Sequence, residues 1–157
     1  SIGFNEAGDW TGVMFAFYSA VAALYSLLIP KIAKAIGRKK VYSFSLLLGG
    51  IGLISMMLVE DKNVLLLSIS GVGLAWAAIL AMPYAMLSGS LPADKMGVYM
   101  GLFNATITLP QITAGILGST LIAFFGGNPM TIIVIAGVSM LIAGLAVFLV
   151  KQNSDTE

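Results

Sequence analysis

The chain contains neither cysteine nor histidine in its 157 residues. That excludes a disulfide framework, a thiolate or imidazole metal site and a histidine proton relay. Charge is almost as scarce, at 10% of residues, and the stretches 11–30, 41–59, 63–92 and 96–150 hold none at all. The last stretch is long enough to fold back at Phe125-Gly126-Gly127-Asn128-Pro129. The result is five apolar segments of roughly 18 to 28 residues, where about 20 cross ~30 Å of hydrocarbon. None shows the polar face of a soluble core helix. The residues supply no nucleophile–base pair, phosphate loop or metal cluster, so neither an enzyme nor a cofactor is expected.

What is present is apolar: 59% of the residues are hydrophobic. The sequence predicts an all-α integral membrane protein with five transmembrane helices. The spans lie near 10–30, 41–59, 63–87, 96–125 and 130–150, in one bundle covering 10–152. A loop, 1–9, precedes them and a polar tail, 153–157, follows. Seven of the eight basic residues fall on one side of this topology: Lys31, Lys34, Arg38, Lys39, Lys40, Lys95 and Lys151. By the positive-inside rule that side is cytoplasmic, which puts the N-terminus outside and the C-terminus inside a cell membrane. The net charge of +1 says nothing of nucleic acid, because the cations sit at membrane borders. An external N-terminus that opens Ser-Ile-Gly-Phe-Asn, with no initiator Met and no signal peptide, points to a chain cut from something longer.

Polar residues inside the spans are the candidates for chemistry. Gly101, Asn104, Thr108, Gln111 and Gly115 are spaced +3, +4, +3, +4 and fall on one helix stripe. An amide turned to lipid is costly, so the stripe must face protein or water. Amides donate and accept, which suits the hydroxyls of a neutral sugar; they equally suit hydrogen bonds between helices. In the first span Phe15, Tyr18, Ala22 and Tyr25 form a similar stripe, and Trp76 lies mid-span in the third. Such rings stack on sugars or simply pack a core. Pro83 and Pro110 are read as helix breaks of the kind transporters use, with a packing kink as the alternative. Gly49, Gly50 and Gly52 allow a close helix contact.

The run Pro30-Lys31-Ile32-Ala33-Lys34-Ala35-Ile36-Gly37-Arg38-Lys39-Lys40 resembles the cytoplasmic loop signature of the major facilitator superfamily, G-x-x-x-D-x-x-G-R-R/K. Gly37, Arg38 and Lys39 match, whereas Pro30 and Lys34 replace the glycine and the aspartate, so an Asp-based gating contact is in doubt. Trp76-Ala77-Ala78-Ile79-Leu80-Ala81-Met82-Pro83-Tyr84-Ala85, Lys95-Met96-Gly97-Val98-Tyr99-Met100-Gly101-Leu102-Phe103-Asn104 and Pro110-Gln111-Ile112 are more specific. They are similar to the tenth and eleventh helices of the sucrose/proton symporter-like branch of the glycoside–pentoside–hexuronide transporters. Gly8-Asp9-Trp10-Thr11-Gly12 is similar to the opening of the eighth helix. Residues 105–109 depart from the branch, which tends to bulkier side chains there.

The resemblance implies helices eight to twelve of a twelve-helix carrier, the C-terminal half without its seventh helix. Its partners would be the N-terminal half, that seventh helix, the lipid bilayer and a sugar such as maltose or sucrose, and no nucleic acid. It also implies alternating access and proton coupling, with the coupling carboxylate elsewhere because no span carries one. Spans one, three and four would line the cavity, and two and five would face lipid. Asn104, Gln111, Thr108, Trp76, Tyr18 and Tyr25 are then the substrate-binding candidates. Arg38 and Lys39 would steady the loop against the partner half or lipid phosphate. Two rivals stay open: a drug or metabolite exporter of the same fold, and a non-transporting membrane scaffold or sensor.

Overall fold

A computed structural model describes residues 2–88 and 91–150. Ser1, Gly89, Ser90, Lys151 and the expected tail 153–157 lie outside the described residues. Five long helices make up the chain: α1 (Ile2–Ile36), α2 (Arg38–Ser55), α3 (Lys62–Ser88), α4 (Met96–Phe124) and α5 (Pro129–Ala146). Single 3-10 turns, Ala93–Lys95 and Val147–Leu149, precede α4 and follow α5, and no strand occurs among the described residues. The all-α membrane class expected from the sequence holds. Four of the helices, over Glu6–Ile36, Lys62–Leu87, Met96–Phe124 and Pro129–Leu149, are each long and apolar enough to cross a bilayer. Helix α2 falls short by that measure because three of its 18 residues are Arg38, Lys39 and Lys40. Its uncharged part rises only ~22 Å at ~1.5 Å per residue.

Helix boundaries correct the sequence reading in three places. The stretch expected as an external loop, 1–9, is helical from Ile2 onward, and α1 continues through Pro30 to Ile36. Proline removes one backbone donor, and the good helix formers of Lys31-Ile32-Ala33-Lys34-Ala35-Ile36 carry the ladder on. The basic loop thus shrinks to one non-helical residue, Gly37, at φ +92°, where a side chain would be strained. Pro83 and Pro110 do not break their helices either; α3 and α4 run through them. Each loses a single hydrogen bond, which the flanking turns outlast.

Other ends match the local chemistry expected of them. Gly126 and Gly127 take φ of +84° and +76°, and Asn128 caps α5 by accepting from the Met130 N–H at 2.9 Å, with Pro129 at the first turn. Asp61 caps α3, accepting from the N–H groups of Asn63 at 2.7 Å and Val64 at 3.2 Å. Those backbone donors, Asn63 first, hold its carboxyl below the usual carboxylate range.

Helix α2 is the centre of the bundle. It runs antiparallel to α1, α3 and α5, and buries Val41, Ser43, Ser45, Leu46, Gly49, Gly50 and Gly52. A Cβ at Gly50 would lie 2.7 Å from the Gly137 carbonyl of α5, and one at Gly52 would collide with the Ser68 carbonyl of α3. Hydroxyls tie the same surfaces: Ser43 donates to the Gly144 carbonyl at 2.7 Å, and Ser55 to Ser68 at 2.8 Å. Lipid tails are as apolar as leucine, so helices associate through such close backbone approach and hydrogen bonds. The expectation that span two faces lipid is therefore only half met. Phe44 and Ile51 point outward, but the remaining faces of α2 are the most enclosed in the molecule. Helix α5 does turn Ile135, Val138, Ile142 and Leu145 outward.

Helix α4 is the exception to all of this, since none of its residues is buried. The bundle of α1, α2, α3 and α5 is complete without it. A Leu in place of Gly52 should cost about 1–3 kcal/mol or more by overpacking. The check is a lower melting temperature of the detergent-solubilised protein, with Ala143→Leu, on the exposed side of α5, close to unchanged.

Candidate functional site

Helix α1 meets the first half of α3 at Gly73, where a Cβ would stand 2.8 Å from the Tyr18 carbonyl and 3.3 Å from the Val21 side chain. This close approach sets Tyr18 and Trp76 beside each other, ring centres 6.5 Å apart and planes tilted by 58°. Phe15 supports Tyr18 edge-on at 6.3 Å. Between the helices opens a groove of about 390 Å³, bordered by Tyr18, Ser19, Ala22 and Ser26 of α1 and by Trp76 and Leu80 of α3. Small residues on α1 make the room; on most helix faces a larger side chain would fill it. Trp76 remains 42% exposed although it sits mid-span. An indole there has a broad face to offer to whatever occupies the groove.

The serine hydroxyls of the groove are already committed as donors. Ser19 donates to the Phe15 carbonyl and Ser26 to that of Ala23, each at 2.7 Å. Their remaining lone pairs can only accept. The groove thus combines two aromatic faces, aliphatic walls and a few acceptors, a surface that meets the apolar faces and the O–H groups of a cargo.

Of the residues singled out in the sequence, Tyr18 and Trp76 come together here. Tyr25 does not. Its hydroxyl pairs with Ser45 at 2.9 Å, and its ring packs against the cluster of Ile29, Ala77, Ala78 and Met82. It ties α1 to α2. The spacing that put it on the Tyr18 face was right, but two turns further along, that face meets α2 and α3 and not the groove.

The amide stripe stands apart on α4. Gly101, Asn104, Thr108, Gln111 and Gly115 are all exposed, and the groove lining comes from α1 and α3 alone. One link joins α4 to α3 at this level: the Tyr84 hydroxyl donates to Asn104 Oδ1, and the Tyr84 ring meets Phe103 edge-on at 5.1 Å. In the sequence Tyr84 stands out only as part of the Trp76–Ala85 run that carries the resemblance. No periodicity points from α3 to α4, so its pairing with Asn104 was not legible. The serine ties of α2 could have been read, since Ser43, Ser45 and Ser55 flank its glycines.

Arg38 and Lys39 have partners inside the chain. Arg38 Nη1 donates to the Ala85 carbonyl in the last turn of α3 at 3.0 Å. Lys39 Nζ donates to the carbonyls of Phe148, at 3.5 Å, and Val150, beyond α5. Helix C-termini expose carbonyls and carry partial negative charge, and cations satisfy both. The antiparallel course of α2 brings its basic N-terminus to these ends. At the opposite end Lys62 lies 5.2 Å above the Trp10 ring, beside a recess bordered by Glu6 and Asp9.

The family model of the Major Facilitator Superfamily matches residues 3–157. The chain belongs to the major facilitator superfamily. It is thus a multi-pass membrane protein of a transporter family. No significant match was found among curated proteins or among solved structures. For this superfamily member, removing the guanidinium leaves a part-buried carbonyl short of a charged donor. Arg38→Met should cost about 1.5–3 kcal/mol. Thermal unfolding in detergent reads the loss, and Arg38→Lys should recover part of it.

Proposed function

We propose that the chain is part of a secondary transporter that moves a neutral sugar, a disaccharide such as maltose or sucrose, by alternating access. The observation that carries the reading is the groove where Tyr18 and Trp76 face one another mid-span, with an exposed amide stripe on α4. Aromatic faces stack on the ring C–H groups of a sugar, and amides bond its hydroxyls. The resemblance to the sucrose/proton symporter-like branch, strongest over Trp76–Ala85 and Lys95–Asn104, supports the same cargo and proton coupling. Superfamily membership makes transport the class of function and leaves a scaffold or sensor without a supporting observation.

In this reading the chain contributes helices eight to twelve, and the N-terminal half with helix seven closes the other side of the path. Tyr18 and Trp76 hold the sugar face, while Asn104 and Gln111, with Thr108 between them, bond its edge. Lys31, Lys34, Arg38, Lys39, Lys40 and Lys95 mark the cytoplasmic side of the cell membrane, so the N-terminus lies outside. The transported proton needs an ionisable group in the other half, because no charge falls between Thr11 and Pro30 or within 63–92 and 96–150.

A lipophilic cargo is the second reading, and the aliphatic walls of the groove, Ala22, Ala77, Leu80 and Ala81 among them, favour it. Uptake of radiolabelled disaccharide by cells carrying the transporter decides between the two. The sugar reading expects saturable uptake, with the apparent KM raised about tenfold by Trp76→Ala or Gln111→Ala, the factor for ~1.4 kcal/mol. Resistance to lipophilic compounds without sugar uptake would establish the exporter instead. An unchanged KM in Gln111→Ala would remove the amide stripe from the binding wall.

A further inference from the structure

Asn104 is a side chain with two opposite capabilities, an acceptor oxygen and a two-hydrogen donor, and the oxygen is held toward a neighbour in the chain. Tyr84 is that neighbour. Its phenol donates to Asn104 Oδ1, and the same ring is held edge-on against Phe103, the residue beside Asn104 on α4. Pro83, immediately before Tyr84, sits within a continuous helix and is half-buried, so the base of the tyrosine is fixed by α3. A phenol O–H has one proton to give, and it goes to the amide oxygen. An amide so engaged cannot turn over without breaking that bond. Asn104 is itself exposed, which leaves its Nδ2 hydrogens available.

We infer that Tyr84 is a positioning residue that locks Asn104 as a hydrogen-bond donor, so that α4 reads an acceptor atom on the cargo. The inference rests on the sugar reading and deepens it by naming the chemistry recognised at this position: an oxygen lone pair, on a hydroxyl or a glycosidic oxygen, rather than an O–H proton. The same bond fixes the place of α4. Elsewhere on its length α4 buries no side chain, and Gly97, Gly101, Gly115 and Gly118 have open space where a Cβ would stand. The polar tie therefore sets both what the amide offers and where it stands. An exposed hydrogen-bond pair of this kind acts as a specificity element once a cargo covers it, because a cargo that presents only a donor leaves the amide N–H groups unpaired.

The test is competition against radiolabelled disaccharide uptake in cells carrying the full transporter, using analogues in which one hydroxyl at a time becomes fluorine or hydrogen. Fluorine can still accept; hydrogen can do neither. The expected result is one hydroxyl position at which the fluoro analogue competes almost as well as the parent sugar. The deoxy analogue there should be weaker by about tenfold, the factor that one hydrogen bond of ~1.4 kcal/mol supplies. In Tyr84→Phe the amide turns freely and this gap closes. In Asn104→Asp, which keeps Tyr84 but has no donor, the parent sugar loses the same tenfold or more and the deoxy analogue does not. A merely structural tyrosine would lower thermal stability and expression without closing the gap. Should Tyr84→Phe fail to reach the membrane, Asn104→Asp carries the test alone. Uptake with an unchanged fluoro–deoxy gap in Tyr84→Phe, or an Asn104→Asp carrier as good as the parent, overturns the inference and leaves the sugar reading standing. No sugar uptake by any form overturns both.

Discussion

Close backbone approach is the interaction on which this molecule depends. Inside a bilayer the hydrophobic effect gives two helices no reason to associate, because lipid tails already solvate their side chains. What remains is dispersion between surfaces that fit, and hydrogen bonds that have no water to compete with them. Helix α2 supplies both along its length. Gly49, Gly50 and Gly52 let α3 and α5 come against its backbone, Ser43 and Ser55 bond across the same contacts, and Ser45 meets Tyr25 of α1. Its short apolar length and its basic N-terminus fit that role. A helix enclosed by three neighbours needs less lipid-facing surface, and two of its three cations, Arg38 and Lys39, lie where the C-termini of α3 and α5 need donors. One end of the bundle is thereby stitched by charge and its middle by small residues.

From that arrangement the candidate site follows. Packing α1 against α3 at Gly73 leaves a slot above the contact, and the small residues of α1 prevent side chains from filling it. Tyr18 and Trp76 stand at its edges because the helical spacing places each one turn or less from the contact point. Helix α4 contributes nothing to the bundle core, and among the described residues Tyr84 ties it to the last turns of α3. A helix with a polar stripe and no buried face behaves as a surface awaiting a counterpart. In the proposed transport reading that counterpart is a water-filled path.

Much of the architecture could be read in advance. The uncharged runs located all five helices, and the Phe125–Pro129 turn required only composition and spacing. What escaped was local: α1 runs on through Pro30 because six good helix formers follow it, and a long basic loop becomes one glycine. Pro83 and Pro110 look like interruptions in a sequence, yet a single missing N–H does not stop a helix of 27 or 29 residues. The site divided for a deeper reason. Periodicity assigns residues to a face of one helix and is silent on which helix that face meets. Tyr25 shares a stripe with Tyr18 and ends in the core, while Tyr84, on no stripe at all, reaches Asn104.

The claim that matters most is that the stripe of α4 borders water while the rest of that helix meets lipid or protein. The chain has no cysteine of its own, so single cysteines placed along α4 report their surroundings without a competing thiol from it. Labelling of the transporter in intact membranes with a hydrophilic maleimide should be fast at positions 101, 104, 108, 111 and 115 and slow at 102, 109, 112 and 116, repeating at the helical period. Labelling that is uniform along α4, or fastest at Leu109 and Ile116, would contradict it.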